Sequence, residues 1–123
     1  MNDIYTQNII FHGSKSPNKR VIDPSTYTGY EVNTLCGDKI KLYIQTDESG
    51  KIIDASFEGD GCSISQAAVS LLIEELRNMN VYDAKNLSED FIYEILGVKV
   101  NPAREKCALL SLKTLKAALK TVD

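Results

Sequence analysis

The sequence predicts a small mixed domain: a three-stranded antiparallel sheet with helices packed against it. Three observations carry that prediction. Two runs of period-two hydrophobicity flank a tight turn, the period becomes helical after a pair of glycines, and a last helix opens on Asn-Pro. In residues 39–45, Ile40, Leu42 and Ile44 share one face, and in residues 51–58, Ile53, Ala55 and Phe57 do. Between them Asp47-Glu48-Ser49-Gly50 reads as a hairpin turn, with glycine where positive φ is needed. The hairpin is polar on its outer face, and a shorter strand around residues 30–34 completes the sheet.

The remaining elements follow in order. Residues 3–12 place Ile4, Tyr5, Ile9 and Ile10 on one stripe of a short helix, with Asn2 or Asp3 as its N-cap. Residues 13–29, with Pro17 and Pro24, read as a loop. After Gly59-Asp60-Gly61, residues Ile64, Ala67, Ala68, Leu71, Leu72 and Leu76 recur at helical spacing, predicting one buried face. Ser63-Ile64-Ser65-Gln66 has the form of a capping box. Residues 83–96 hold one or two short helices ending before Gly97. Asn101-Pro102 is an N-cap followed by proline at the first helical position, and the helix beyond carries Ala108, Leu112, Leu115 and Leu119 on one face. No internal repeat or low-complexity segment interrupts the chain.

The bulk numbers exclude several classes of function. At 123 residues the chain fits one domain, 1–123, able to bury a core without disulfides. Its 14 basic and 17 acidic residues give a net charge of −3 with no basic stripe, so nucleic acid is not an expected partner. No run reaches the roughly 18–20 apolar residues of a membrane span, so no membrane association is expected. The first residues have neither a basic n-region nor a small-residue cleavage site, so a cytoplasmic location is expected.

Three cysteines cannot close into a complete set of disulfides, and in a reducing compartment they are either apolar fillers or working thiolates. Each sits at a junction. Cys36 lies at the break before the hairpin, Cys62 follows Gly59-Asp60-Gly61 where a helix starts, and Cys107 is near the start of the last helix. Helix N-termini favour thiolate over thiol, and the glycines beside Cys36 and Cys62 allow close backbone approach. Three thiolates and the Asp38 carboxylate would make a four-coordinate site for zinc, or for an iron–sulfur centre with one oxygen ligand. The gaps of 26 and 45 residues match no zinc-finger spacing. The residues alone therefore leave two readings open, a shared site or structural burial of at least one cysteine.

Cys36-Gly37-Asp38, Phe57-Glu58-Gly59-Asp60-Gly61-Cys62-Ser63-Ile64-Ser65 and Arg104-Glu105-Lys106-Cys107-Ala108-Leu109-Leu110 resemble the three cysteine motifs of the IscU/SufU family, whose domain is also called NifU N-terminal-like. Phe11-His12 with Ser16-Pro17-Asn18 is similar to that family's N-terminal segment, and the resemblance spans roughly residues 4–120. It implies an α+β fold, with helices on one face of a three-stranded antiparallel sheet and a metal site at an exposed end. It implies iron–sulfur cluster assembly, with persulfide sulfur taken from a cysteine desulfurase and passed to downstream cluster or sulfur acceptor proteins. Carried over residue by residue, Cys36, Asp38, Cys62 and Cys107 are the ligands of a transient cluster or of zinc. Cys36 or Cys107 is then the sulfur acceptor, with Cys36 ranked first.

The chain departs from both branches of the family. Lys106 stands where IscU-type members have histidine, which is nearer the SufU type, yet the SufU insertion between the second and third cysteine motifs is missing. Pro102 is the lone proline where IscU-type members carry a chaperone-read proline motif. Alternatives to cluster building are a zinc-dependent sulfurtransferase, a structural zinc module used only for protein binding, and a thiol peroxidase, which Asp38 argues against. Arg104, one turn before Cys107, is a candidate partner for Asp38 or a thiolate. Lys106 reads as solvated, His12 as a non-ligand, and Tyr27 and Tyr30 as structural. The Ile4/Ile9/Ile10 stripe divides between core packing and a desulfurase-docking surface.

Overall fold

The computed structural model describes residues 4–14, 17–35 and 37–122. In chain order these form α1 (Ile4–Ser14), β1 (Tyr27–Asn33), β2 (Asp38–Thr46), β3 (Ile52–Asp60), α2 (Ser63–Leu76), α3 (Val81–Lys85) and α4 (Glu89–Leu96). A 3₁₀ turn over Pro102–Arg104 leads into α5 (Glu105–Ala118). The expected N-cap residues Asn2 and Asp3 lie outside the described residues, as does Cys36.

The sheet has the order β1-β2-β3 with both pairs antiparallel, so Leu42 faces Gly29 on one side and Phe57 on the other. Strand β1 begins three residues earlier than the spacing predicts. Ile40, Leu42, Ile44, Ala55 and Phe57 are fully buried on one face of the sheet. Ile53 does not join them. Gln45 pairs with Asp54 but Thr46 pairs with Ile52, so Ile53 is one extra residue on β3. A bulge of one residue reverses the side-chain parity beyond it. Ile52 is therefore completely buried, and Ile53 is 53% exposed.

Helices α5 and α2 cover this apolar face, α5 over β1 and β2, α2 over β3. A Cβ on Gly29 would lie 2.4 Å from the Thr114 carbonyl oxygen of α5, so only glycine lets β1 approach that closely. Helix α2 is the centre of the packing and not a one-faced surface helix. It also contacts α1 and α4, and every residue from Ser65 to Ile73 is buried, as is Leu76. Among the described residues no helix is long and apolar enough to cross a membrane.

The local signals at helix ends mostly hold. Asn80 accepts from the Tyr82 N–H at the start of α3, and Ser88 from the Phe91 N–H at the start of α4. Gly97 ends α4 in the left-handed region at φ 68°, and Asn101 accepts from the Ala103 N–H with Pro102 at the first position. The capping box at Ser63 does not form. Cys62 is the N-cap of α2 and makes no side-chain cap bond, which leaves Ser63 as the first helical residue.

The stretch before β1 is not a free loop. The Asn18 carbonyl accepts from the Phe57 N–H at 3.1 Å, Lys19 bridges Phe57 in parallel, and Ile22 is buried. On the outer sheet face Tyr43 and Ser56 are buried, so that face is not uniformly polar and solvated. Tyr27 packs partly against the core, whereas Tyr30 is 56% exposed.

Candidate metal centre

Antiparallel pairing builds the site. Asp38 opens β2, and β3 runs back along it, so that Asp60-Gly61-Cys62 arrives beside the Asp38 side chain. Asp38 is completely buried, and its Oδ1 accepts a hydrogen bond from the Cys62 backbone N–H at 2.8 Å. The Cys62 thiol lies 3.9 Å from Asp38 Oδ2. Gly61, at φ 155°, is the residue that permits this, because a Cβ there would sit 2.2 Å from Asp38 Oδ1. Its glycine is needed for the approach of a carboxylate to the helix start. Ser65, one turn into α2, donates to the Cys62 carbonyl at 3.0 Å and holds that residue from the other side.

Cys107 comes from α5. The 3₁₀ turn aims that helix so that its third residue points inward, and Cys107 is completely buried. The ligand atoms of Asp38, Cys62 and Cys107 all lie within 4.8 Å of one another. Donors bound at zinc distances in a tetrahedron are about 3.5–4 Å apart, so a small inward shift would let this trio coordinate an ion. Two sulfurs and one carboxylate oxygen suit zinc or iron, and the carboxylate is the harder donor of the three.

Burial opposes ionisation of the Cys62 thiol, and the Asp38 charge adds to that opposition. Hydrogen bonding to the Ser65 backbone, the Cys107 thiol and the Ile64 backbone outweighs both, and the thiol sits below its ordinary value. Donors at the start of a helix thus prepare the sulfur for metal or for attack.

Of the four ligands read from the sequence, the structure brings Asp38, Cys62 and Cys107 together. Cys36 lies outside the described residues, two positions before Asp38 in the chain. Arg104 is exposed, and among the described residues no ion pair joins it to Asp38. Lys106 is exposed as well. His12 is not in the cluster. It is buried, with Nδ1 2.6 Å from Ser70 Oγ, and burial lowers its pKa against a smaller opposing pull from Glu74. Asn18 donates to the Ser70 carbonyl at 3.1 Å and to Glu74 at 3.2 Å. This network and the Ser65 contact were not read from the sequence. Polar residues within an apolar helical stripe are their one signal.

The fold and the site define a class: a three-stranded α+β domain whose Asp38, Cys62 and Cys107 form a candidate metal site at two helix starts. The chain belongs to the family described as the NifU-like N terminal domain, whose model matches residues 4–122. It is 33% identical to the iron–sulfur cluster assembly scaffold protein IscU of Thermotoga maritima, covering 98% of this chain and 95% of that one. It is 34% identical to the zinc-dependent sulfurtransferase SufU of Bacillus subtilis, over 94% and 88% of the two chains. A solved structure from Fervidobacterium islandicum AW-1, described as a candidate cluster assembly scaffold for the SUF system, superimposes with a TM-score of 0.74. Its sequence is 32% identical, with 94% of this chain and 96% of that one covered.

Proposed function

We propose that residues 1–123 form one iron–sulfur cluster assembly domain that accepts persulfide sulfur from a cysteine desulfurase at a Cys36–Asp38–Cys62–Cys107 site. The observation that carries this reading is the convergence of Asp38, Cys62 and Cys107 within 4.8 Å. Relatives named as cluster scaffold and as zinc-dependent sulfurtransferase, at nearly equal identity, support it. The work it describes belongs in the cytoplasm, beside the desulfurase and the downstream acceptors of cluster or sulfur.

Sulfur transfer needs an accessible thiolate. In the step proposed, the acceptor Sγ attacks the terminal sulfur of the desulfurase persulfide. A new sulfur–sulfur bond forms, the donor's bond breaks, and the desulfurase cysteine leaves as thiolate with the proton kept on the transferred sulfur. Cys107 is completely buried, which favours Cys36 as the acceptor and leaves Cys107 to hold what is delivered. Zinc, when held by these residues, would keep the thiolates apart and block their disulfide. Asp38 holds the Cys62 backbone through Oδ1, so Oδ2 is the oxygen left to coordinate and to let go. Iron and sulfide, assembled there, are cargo.

Anaerobic reconstitution with iron, cysteine and a desulfurase tests the reading. Visible charge-transfer absorption, lost in Cys62→Ala and Cys107→Ala, is the outcome expected of a scaffold. Tight zinc, no colour and faster desulfurase turnover would assign the chain to zinc-dependent relay, the reading that Lys106 in the histidine position favours. Unchanged desulfurase turnover with all three cysteines replaced in turn would leave only a structural zinc module, and would sink sulfur acceptance.

A further inference from the structure

The two edges of the sheet are treated differently. Along β3 the edge is partly covered, with Lys19 bridging Phe57 at one point and Asn80 bridging Lys51 at the end. Along β1, the other edge strand, no described residue forms a bridge. Alternate residues of an edge strand turn their N–H and C=O groups outward, where another chain can pair with them.

Beside that open edge lies a groove of about 720 Å³ between the end of β1 and α5, with the start of α4 at one side. Val32, Leu35 and Leu109 give it apolar walls, and Leu35 is 78% exposed. Lys106, Lys113 and Lys116 line it against the single acid Glu89, although the whole chain carries a net charge of −3. Lys113 reaches Glu31 at 3.5 Å and Lys116 donates to the Lys85 carbonyl at 2.9 Å, and each ammonium keeps further N–H donors for an incoming acid. Asn33 supplies an independent sign. Its Oδ1 accepts from the Leu35 N–H at 3.2 Å, while its Nδ2 is buried without a hydrogen-bond partner. Buried donors are rarely left so, and a small turn of this groove-lining side chain would offer Nδ2 to an acceptor seated there.

We propose that the β1 edge and this groove take an extended segment of a partner protein as a fourth strand. That segment alternates acidic with aliphatic residues. From Lys106 to Lys116 the helix rises about 15 Å, which an extended peptide spans in roughly five residues. Acids on one side of the added strand meet the three lysines of α5, and aliphatic residues on the other seat against Val32 and Leu35. Main-chain bonds supply affinity and the alternation supplies selectivity. The groove is continuous in sequence with the metal centre, since Lys106 precedes Cys107 and Leu35 precedes Cys36. A partner bound here is held next to the chain segments that carry Cys36 and Cys107. The proposal does not depend on whether the centre builds a cluster or relays sulfur.

A labelled peptide of about ten residues alternating glutamate and valine is the probe, titrated by fluorescence anisotropy into the zinc-loaded full chain. Saturable binding is expected, weakened about tenfold or more for a peptide N-methylated at alternate amides, which cannot complete the ladder. Lys113→Glu with Lys116→Glu is expected to weaken it about fivefold or more, with zinc content and circular dichroism unchanged. Amide chemical shifts should move in residues 30–35 and 106–116. Equal binding of the N-methylated peptide, or of a lysine–valine peptide, would overturn the proposal, as would shifts confined to other surfaces. A dimer in solution that the peptide dissociates would assign the edge to a second copy of this chain instead.

Discussion

Helices α5 and α1 both pack against α2, but by different means. Helix α5 inserts Ala108, Leu112 and Leu115 into the core, with Leu119 just beyond it, all fully or nearly fully buried. Among the described residues, α1 sets Ile9 against the core, and the buried contacts that it and the segment after it make with α2 include a polar network. His12 meets Ser70, and Asn18 meets Ser70 and Glu74, while Ile10 and Phe11 are 58% and 49% exposed. Apolar burial is non-directional and insensitive to pH, so α5 is committed to the fold. A buried polar network depends on geometry and protonation, so the His12–Ser70–Asn18 contacts are expected to weaken under conditions that leave α5 in place.

The contrast breaks most visibly at Leu115. Leu115→Ala is expected to cost about 3 kcal/mol of unfolding free energy, read as a lower denaturation midpoint with unchanged slope. A loss below about 1 kcal/mol would show that α5 is not held by its apolar face. Gly29→Ala is expected to cost about 2 kcal/mol, because the added Cβ would lie 2.4 Å from Thr114 O and 2.7 Å from Ala118 N. Tolerance of that change would mean the β1–α5 contact adjusts more freely than a packed core should.

His12→Ala sharpens the other side of the comparison. It is expected to cost about 1 kcal/mol, chiefly as faster amide exchange in α1 with α5 unaffected. Equal acceleration in both helices would erase the distinction. The smallest effect is the pH dependence. The folded-state pKa of His12 is lowered from 6.5 by burial, so the unfolded chain binds the proton more readily. The stability linked to neutral His12 is fully present above 6.5 and falls as pH drops from there through the lower folded value. Denaturation midpoints across that range should fall as the pH falls, and the His12→Ala chain should lack this component.

Much of the fold was legible because its signals are local. The alternation of Ile40, Leu42 and Ile44, the Asp47–Gly50 turn, Asn101-Pro102 and Gly97 each depend on a few neighbouring residues. The failures share one cause, an unseen partner. Ile53 leaves the core because of a bulge set by pairing with β2, and Ser63 fails to cap because the chain enters α2 through Cys62. Helix α2 looked one-sided because the polar residues Ser65, Gln66 and Ser70 stand in for a solvent face, yet all three are buried. Arg104 reads as a partner for Asp38 from its spacing, and it remains in solvent.

The candidate site divides along the same line. Cysteine at helix starts and beside glycine was chemistry that the chain displays by itself, and the motifs around Cys36, Cys62 and Cys107 carried the family resemblance. Spacings of 26 and 45 residues say nothing of distance, since long-range proximity is set by strand pairing and helix packing. Only the tertiary structure brought Asp38, Cys62 and Cys107 within 4.8 Å, and only it gave Asp38 a second task, holding the Cys62 backbone. Residue type determines which atoms can bind a metal. The register of β2 against β3 and the docking of α5 decide that three of them meet.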